Sequence, residues 1–243
     1  MRFVRPVKAV ALDVDGTLYE QNMLRAFMAL ELGTLPLVQC SYRSAAVIWK
    51  IALTFRRVRE ELRGLGSPTA SLAELQYSQT AKQINIDAGT VERTIEEWIF
   101  ERPLKYLKLC RRRGVNSCFA WLEERNVPIG VFSDYPVREK LRALGISARI
   151  APALCATDPE INAFKPHPKG FLRLCEIWGV PPDEVLYVGD RHEIDAVGAA
   201  AAGVPCAILG RKAGLKGQTA FGRCFAISSF KELHHVLVNN LRH

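Results

Sequence analysis

Residues 7–18 read VKAVALDVDGTL, an apolar run that stops at two closely spaced aspartates, Asp13 and Asp15. A short, continuous apolar run is typical of a strand buried on both faces of a parallel sheet. The two carboxylates would then emerge at the carboxyl end of the strand, where parallel α/β sheets bind their ligands. Gly16 permits a sharp turn there, and Thr17 offers a hydroxyl and a backbone N–H to an anion.

Short apolar runs recur in the second half of the chain, and most are separated by stretches with helical periodicity. Strands are predicted at residues 128–132, 149–154, 185–188, 204–209 and 225–227, and helices at residues 117–125, 137–144, 169–178 and 195–202. This alternation predicts an α/β fold, a Rossmann-like parallel sheet with helices on both faces. Because crossover connections are right-handed, the carboxyl ends of the strands should meet at one edge of the sheet.

The segment between these two regions, residues 19–109, has helical periodicity and little alternation of β-branched residues. Ser71 begins SLAE, a capping-box pattern that predicts the start of a helix, and residues 91–100 form a further helical stretch. We therefore expect an all-helical insert over residues 19–109. The α/β core would consist of residues 1–18 and 110–243.

The composition, 49% hydrophobic and 24% charged, is that of an ordinary globular protein. A formal net charge of +8 favours an anionic partner or surface. Two groups of arginines stand out: Arg56, Arg57, Arg59, Arg111, Arg112 and Arg113. No zinc-finger spacing or aromatic RNA-binding signature accompanies them, which disfavours a nucleic-acid partner. A solvated basic face is the favoured interpretation, and attraction of a phosphorylated substrate or contact with an acidic membrane surface are the alternatives.

The seven cysteines include no C-x-x-C pair, which favours reduced thiols in a cytoplasmic protein over a disulfide framework. The first apolar run stops at Asp13 and is too short for a signal peptide. Residues 35–55 are apolar enough to consider as a membrane span, but they include Gln39, Arg43 and Lys50. Charged side chains are costly at membrane depth, so a packed amphipathic helix is the favoured interpretation.

Polar residues also follow other predicted strands, or lie in loops beyond them. Ser133 follows residues 128–132, Lys165 lies in FKPHP, and Asp190 follows the strand at 185–188. Carboxylates gathered at one sheet edge repel each other unless a hard cation lies between them, and all-oxygen ligation suits Mg²⁺. One carboxylate can attack phosphorus while a second acts as general acid and base. A serine and a lysine can bind the oxygens of the transferring phosphoryl group.

The ordered motifs are D-x-D-G-T at residues 13–17, a strand-end serine, Lys-Pro, and G-D-x-x-x-x-D at 189–195. In this order they resemble the haloacid dehalogenase superfamily over residues 7–18 and 114–210. The resemblance implies a magnesium-dependent phosphomonoester hydrolase that works through an aspartyl-phosphate. The helical insert resembles the C1-type cap of that family, which closes over the site, excludes water and supplies specificity. Its hinges would lie near residues 19–22 and 109–114.

The resemblance also implies a role for each residue of these motifs. Asp13 would be the nucleophile and a magnesium ligand, and Asp15 the acid and base, with its backbone carbonyl on the metal. Ser133 would bind the phosphoryl group, and Lys165 would pair with Asp13 and the phosphate. Asp190 would be a further magnesium ligand.

For the other residues we predict a supporting role in the site or no role in it. Thr17 would help to place the acid and base, and Asp195 would support the metal shell. Asp134 is interpreted as a solvated neighbour of the site, and His167 and His192 as loop histidines without a catalytic role. Three aromatic residues are expected in the core of the insert: Trp49, Trp98 and Phe100.

The expected substrate is a small phosphorylated metabolite of unspecified identity, and the expected protein is a monomer or homodimer. Asp15 and Asp190 argue against dehalogenation, because haloacid dehalogenases lack the second carboxylate and need no magnesium. A phosphosugar mutase of the same superfamily is one alternative. A catalytically silent module that binds anions or nucleic acid is another.

Overall fold

In a computed structural model, which describes residues 5–39, 42–210 and 224–241, six parallel strands form one sheet. The strands are β1 Ala9–Leu12, β2 Ile129–Ser133, β3 Ala153–Cys155, β4 Val185–Gly189, β5 Cys206–Leu209 and β6 Cys224–Ile227. Their order is β3-β2-β1-β4-β5-β6, so β1 lies inside the sheet between β2 and β4. The predicted Rossmann-like α/β class is confirmed.

The α-helices of the described residues fall into two groups. Five follow β1 and precede the rest of the sheet: α1 Gln21–Gln39, α2 Tyr42–Arg63, α3 Leu72–Ile84, α4 Ala88–Ile95 and α5 Leu104–Cys110. Five alternate with or follow the remaining strands: α6 Val115–Glu123, α7 Arg138–Leu144, α8 Lys169–Trp178, α9 Val197–Ala201 and α10 Phe230–Val238. The π-helical turns are Glu96–Glu101 and His192–Ala196, and the 3₁₀ turns are Ser147–Arg149 and Pro182–Glu184.

The sheet is covered on both faces because successive side chains of a strand point in opposite directions. Val10 and Leu12 of β1 pack into one apolar cluster, which includes residues of α6 and α10. Ala9 and Ala11 pack into another, which includes residues of α8. A third cluster joins α2, α3 and α4, so the helical segment has a small core of its own.

The strand register decides which residues meet at the carboxyl edge of the sheet. Leu12 pairs with Val131 on one side and with Val188 on the other. Asp13 therefore leaves β1 between the ends of β2, which closes with Ser133, and β4. Three of the predicted polar signals thus lie on adjacent strand ends.

Several predicted boundaries are wrong by a few residues. The strand predicted at 149–154 begins only at Ala153, because Ser147–Arg149 forms a 3₁₀ turn and Pro152 has no N–H to donate. The strand predicted at 204–209 begins at Cys206, after Pro205. The helix predicted at 195–202 is divided into a π-helical turn and the short helix α9.

The helical segment follows the predicted pattern in part. Ser71 caps α3, since its side chain accepts a hydrogen bond from the Glu74 backbone N–H at 3.4 Å. The stretch predicted as one amphipathic helix, residues 35–55, falls partly on α1 and partly on α2, and its residues 40 and 41 lie outside the described residues. Across residues 5–39, 42–210 and 224–241, no helix has the length and apolarity needed to cross a membrane.

The cysteines within the described part of the chain are all free thiols, and all but Cys224 are buried. Burial raises the pKa of the Cys118 thiol to about 12, so this thiol stays protonated and packs as a small apolar side chain. Cys40 lies outside the described residues. The expectation of free thiols therefore holds for the cysteines that the structure describes.

Candidate active site

A buried lysine joins two aspartates at the centre of the site. The Lys165 Nζ lies 2.7 Å from Asp13 Oδ1 and 2.7 Å from Asp195 Oδ1, and it donates to the Tyr187 hydroxyl at 3.1 Å. Burial raises the pKa of Asp13 well above its usual range, and the Lys165 charge only partly offsets this. For Lys165 itself, burial lowers the pKa, but Asp13 and Asp195 raise it well above its ordinary value. The lysine is therefore the charge that allows two carboxylates to be buried together.

Asp15 has a separate set of partners. The Lys140 Nζ lies 2.6 Å and 2.8 Å from its two carboxylate oxygens, the Ser133 hydroxyl donates to it at 3.1 Å, and the Tyr19 hydroxyl also donates to it. Burial alone would raise the pKa of Asp15, but the Lys140 charge and these hydrogen bonds lower it below its ordinary value. Asp15 is thus held ionised and in a fixed orientation.

The sequence reasoning missed Lys140 and Tyr19. Lys140 lies on α7 one turn before Leu144, and both are buried, so a lysine occupies a core-facing position of an amphipathic helix. A lysine at such a position indicates that it has a charged partner, because a lysine is rarely buried without one. This pattern in the sequence could have identified Lys140 as a site residue. Tyr19 lies two residues after the last residue of the D-x-D-G-T motif, and neither its residue type nor its position indicated a role in the site.

Asp190 carries an unsatisfied carboxylate oxygen. Its Oδ1 is buried and has no hydrogen-bond partner among the described residues. Burial and the neighbouring Asp195 charge raise the pKa of Asp190 to about 6, and the charge of Asp190 in turn raises the pKa of Asp13. A cation between Asp13 and Asp190 would remove both penalties, so these oxygen donors fit a hard divalent ion.

Few protein side chains are placed to bind a cation beside Asp13 and Asp190. Within the described ranges, no three His, Cys, Asp or Glu side chains are grouped so as to hold a metal ion. A cation at this place would therefore depend on two carboxylates and on backbone oxygen or water. Thr17, also predicted as a site residue, is fully buried, and its hydroxyl has no hydrogen-bond partner in the described part of the chain.

Asp195 shapes the loop that carries Asp190. Its Oδ2 accepts hydrogen bonds from the backbone N–H groups of Asp190, at 3.2 Å, and Arg191, at 3.0 Å. Its other oxygen accepts from Lys165. The π-helical turn His192–Ala196 brings Asp195 back onto this loop, and a side chain at Gly189 would overlap it. Asp195 thus orients both the lysine and the loop.

The interpretation of Asp134 as a solvated neighbour is wrong. Asp134 is 8% exposed, and its carboxylate accepts from Arg63 Nη1 at 2.7 Å and from the Lys165 backbone N–H at 3.0 Å. Its backbone carbonyl accepts from Arg59 Nη2 at 2.6 Å. Burial would raise the pKa of Asp134, but Lys165 and the two arginines lower it. Because Arg59 and Arg63 belong to α2, these contacts hold the end of that helix against the sheet edge.

The arginines of the second basic group also have specific structural partners. Arg112 donates to the Gly16 carbonyl at 3.0 Å and 2.9 Å, and Arg111 donates to the Leu144 carbonyl at 2.7 Å. Backbone hydrogen bonds join Arg112 to Leu18 and Glu20 to Cys110. The two segments predicted as hinges therefore lie side by side. The favoured interpretation of a solvated basic face is wrong for Arg59, Arg111 and Arg112.

Gly16 lies where a side chain cannot fit. Its φ is +88°, and a Cβ there would overlap the Asp190 carboxylate. We expect Gly16→Ala to destabilise the protein by about 1–3 kcal/mol and to lower turnover by displacing Asp190. Denaturant unfolding and phosphate release measure the two effects. Gly33→Ala is the matched control, because a Cβ on that helical glycine meets no atom within 4 Å. Equal stability of the two variants would contradict the argument.

One cavity of about 620 Å³ opens onto these residues. Its lining includes five of the predicted site residues at the sheet edge, Asp13, Asp15, Ser133, Lys165 and Asp190, together with Asp195. The opposite wall consists of α1, α2 and the segment from Trp98 to Leu107. Trp98 and Phe100 are buried as expected, whereas Trp49, also predicted as core, is 52% exposed and lines the cavity.

The two histidines of the motif loops, His167 and His192, have few hydrogen-bond partners. His167 accepts a hydrogen bond from the Lys169 backbone N–H at 3.3 Å, and burial together with the Lys169 charge lowers its pKa. The His192 Nε2 is buried and has no partner among the described residues. Neither observation assigns a catalytic role to these side chains.

A family model described as haloacid dehalogenase-like hydrolase matches residues 7–203. The chain belongs to this family. A phosphoglycolate phosphatase of Shigella flexneri is 30% identical to it over 217 residues, covering 82% of this chain and 79% of that protein. One from Haemophilus influenzae is 25% identical over 207 residues, covering 84% of each. The predicted membership of the superfamily, as an enzyme of the phosphatase type, is confirmed.

Solved structures share the fold of this haloacid dehalogenase-like chain. A 2-haloacid dehalogenase from Pseudomonas syringae superposes with a TM-score of 0.67 at 20% identity, covering 96% of this chain and 98% of that one. A haloacid dehalogenase-type phosphatase from Thermococcus onnurineus gives a TM-score of 0.61 at 22% identity, covering 98% and 100%. At these identities the likeness concerns the fold alone.

Proposed function

We propose that this protein is a magnesium-dependent phosphomonoester hydrolase that forms an aspartyl-phosphate on Asp13. One observation carries the proposal: Asp13, Asp15, Ser133, Lys165 and Asp190 line a single cavity at adjacent strand ends. Attack by a carboxylate divides the hydrolysis into two displacements at phosphorus. The relatives named as phosphoglycolate phosphatases make 2-phosphoglycolate the first substrate to assay.

In the first displacement, a carboxylate oxygen of Asp13 attacks phosphorus, and the bond from phosphorus to the ester oxygen breaks. Asp15 donates a proton to the departing alkoxide. Lys140 lowers the pKa of Asp15. The negative charge of a bound phosphate would raise that pKa again, and so would favour the protonated form of Asp15 that donates the proton. In the second displacement, Asp15 takes a proton from water, which attacks the phosphorus of the aspartyl-phosphate. Inorganic phosphate leaves and the Asp13 carboxylate is restored.

Ser133 and Lys165 stabilise the phosphoryl group in different ways. The Ser133 hydroxyl can turn from Asp15 toward a phosphoryl oxygen, because a hydroxyl rotates to suit its partner. The three donors of Lys165 already have acceptors in Asp13, Asp195 and Tyr187. Lys165 therefore acts on the phosphoryl group mainly as a fixed positive charge. Asp195 and Lys140 are positioning residues, and Thr17 is proposed to support the turn that carries Asp15.

Mg²⁺ would be held by the carboxylates of Asp13 and Asp190 and by the backbone carbonyl of Asp15. When bound, it neutralises the charge of the nucleophile and of the phosphate and polarises the phosphoryl group. The buried, unpartnered oxygen of Asp190 is the feature of this chain that supports such a site.

The helical segment is proposed to be a cap. On this proposal residues 19–109 close over a core of residues 1–18 and 110–243. The paired segments around Tyr19 and Arg111 form its connection, and closure would exclude water from the phosphoryl group. Occurrence as a monomer or homodimer stays a prediction.

The proposal is tested by phosphate release from 2-phosphoglycolate and p-nitrophenyl phosphate, with Mg²⁺ and after chelation. We expect chelation to lower release by about 10²-fold, and added Mg²⁺ to restore it, because two carboxylates then lack their counter-ion. Intact-protein mass spectrometry of Asp15→Asn, mixed with substrate, should detect one added phosphoryl group. Metal-independent turnover, or turnover without a phosphorylated protein under any trapping condition, would contradict the mechanism.

A further inference from the structure

We propose that the alcohol part of the substrate carries an apolar chain, which lies along the helical wall of the cavity. This inference rests on the proposed phosphatase function and specifies its substrate class: phosphomonoesters of medium-chain alkyl alcohols or of comparable amphipathic alcohols. It follows from how the cavity lining changes with distance from the sheet edge.

The helix α1 turns one continuous face toward the cavity. Leu24, Met28 and Leu32 repeat at intervals of four residues, which places them on the same side of the helix. The helix begins just after Tyr19, whose hydroxyl is bonded to Asp15. The cavity wall therefore leads from the acid and base outward over apolar side chains.

The helix α2 forms the facing part of the wall and runs in the opposite sense. Its carboxyl end is held at the sheet edge by the ion pair between Arg63 and Asp134. Sequence position along α2 therefore measures distance from the phosphoryl site. The α2 residues that line the cavity nearest the site are charged. Farther along the helix from the site, the lining residues are apolar: Leu53, Trp49 and Ile48.

The charged part of the lining, between the phosphoryl site and the apolar part of the wall, is mainly basic. Arg25 of α1 and Arg56 and Arg57 of α2 line the cavity, with Glu60 nearest the site. The Arg57 guanidinium already donates to Gln83 at 2.9 Å and pairs with Glu61. The exposed guanidinium groups of Arg25 and Arg56 would therefore attract a phosphate dianion and offer hydrogen bonds to polar atoms next to the ester. The cavity thus matches a molecule with a phosphate at one end and an apolar group at the other.

The outer wall exposes large apolar side chains that a small hydrophilic substrate would leave in water. Trp49 is 52% exposed and Leu53 46% exposed, although both line a concave site. A volume of about 620 Å³ is within the range of pockets that enclose a ligand of several hundred daltons, roughly 300–1,000 Å³. Burial of these side chains against an apolar chain would be favourable.

The length of the apolar zone sets the length of the chain. From Arg56 to Ile48 is about 12 Å along the axis of α2, at roughly 1.5 Å per residue. The apolar face of α1, from Leu24 to Leu32, spans about the same distance. With carbon–carbon bonds of about 1.5 Å in a zigzag, an extended chain of about eight to ten carbons would cover it.

The test is a series of monoalkyl phosphates from ethyl to decyl, each below the concentration at which it forms micelles. We expect kcat/KM to rise about threefold per methylene up to octyl, so over six methylenes octyl phosphate should be better than ethyl phosphate by on the order of 10³-fold. A flat series, or a preference for ethyl phosphate, would overturn the inference. Absence of turnover on every ester would instead count against the phosphatase function itself.

A variant of the wall separates chain binding from general damage. Trp49→Gln should lower the ratio of octyl to ethyl phosphate kcat/KM about tenfold, since the chain loses an apolar partner. Leu30→Gln is the matched control, because Leu30 lies on α1, is 68% exposed and is not one of the residues that line the cavity. This control should leave the ratio unchanged. An unchanged ratio in Trp49→Gln, or equal loss in both variants, would contradict the proposed position of the chain.

Discussion

Asp13→Asn is expected to lower the turnover of phosphate esters by about 10⁴-fold or more, because an amide does not supply the nucleophile of the first displacement. Asparagine keeps the shape of the side chain, so the substrate can still enter. Phosphate release, measured over a long incubation, checks the loss. Asp15→Asn, by contrast, should retain attack on phosphorus and accumulate phosphorylated protein.

The same variant should fold at least as stably as the wild type. Burial raises the pKa of Asp13 well above its usual range, so ionisation of this buried carboxyl group costs the folded protein stability, and asparagine removes that cost. Lys165 keeps Asp195 as its partner in the variant. Asp183→Asn, which changes only a surface ion pair with Arg5, is the matched control. Near-normal turnover in Asp13→Asn would mean that the nucleophile is misassigned.

Lys165→Met is expected to be the most destabilising of these substitutions, by about 3–5 kcal/mol, and to reduce turnover by at least about 10²-fold. Lys165 is buried, and it bonds both Asp13 and Asp195 through ion pairs of 2.7 Å. Without it, buried carboxylates face each other uncompensated. Denaturant unfolding and phosphate release measure the two losses.

The pH dependence of this variant tests the cause of its instability. Without the lysine charge, the folded-state pKa of Asp13 rises further above the unfolded value. An acid with a raised folded pKa destabilises the fold when it is ionised, so stability is regained as the pH falls from 7 toward about 4, where the unfolded carboxyl titrates. The difference from the wild type should therefore shrink on acidification. A pH-independent difference would indicate lost packing instead of repulsion.

Lys231→Met is the matched control for the lysine substitution, because Lys231 is an exposed residue of α10. Its stability should lie within about 0.5 kcal/mol of the wild type, as is usual for surface changes. A loss of similar size in both variants would show that the effect does not depend on the buried carboxylates.

The sequence alone determined the fold class and the order of the strand-end residues. Apolar runs, each followed by polar residues at a strand end, specify a parallel α/β sheet, and right-handed crossovers bring the strand ends to one edge. For that reason Asp13, Ser133 and Asp190 could be assigned to one site from their positions in the chain. Proline and local turn geometry, as at Pro152, moved individual boundaries by a few residues.

Only the tertiary structure decided which charges neutralise one another and what shape the substrate meets. Lys140 reaches Asp15 across 125 positions, and Arg63 reaches Asp134 across 71. Such pairs depend on how helices pack against the sheet, which local patterns of apolar residues do not specify. The apolar wall of the cavity, including the exposed Trp49, likewise arises because α1 and α2 face each other above the sheet edge. The sequence motifs specify which reactive side chains lie at the strand ends. The packing of helices that are distant in sequence determines which charges neutralise those side chains and what shape the adjoining cavity has.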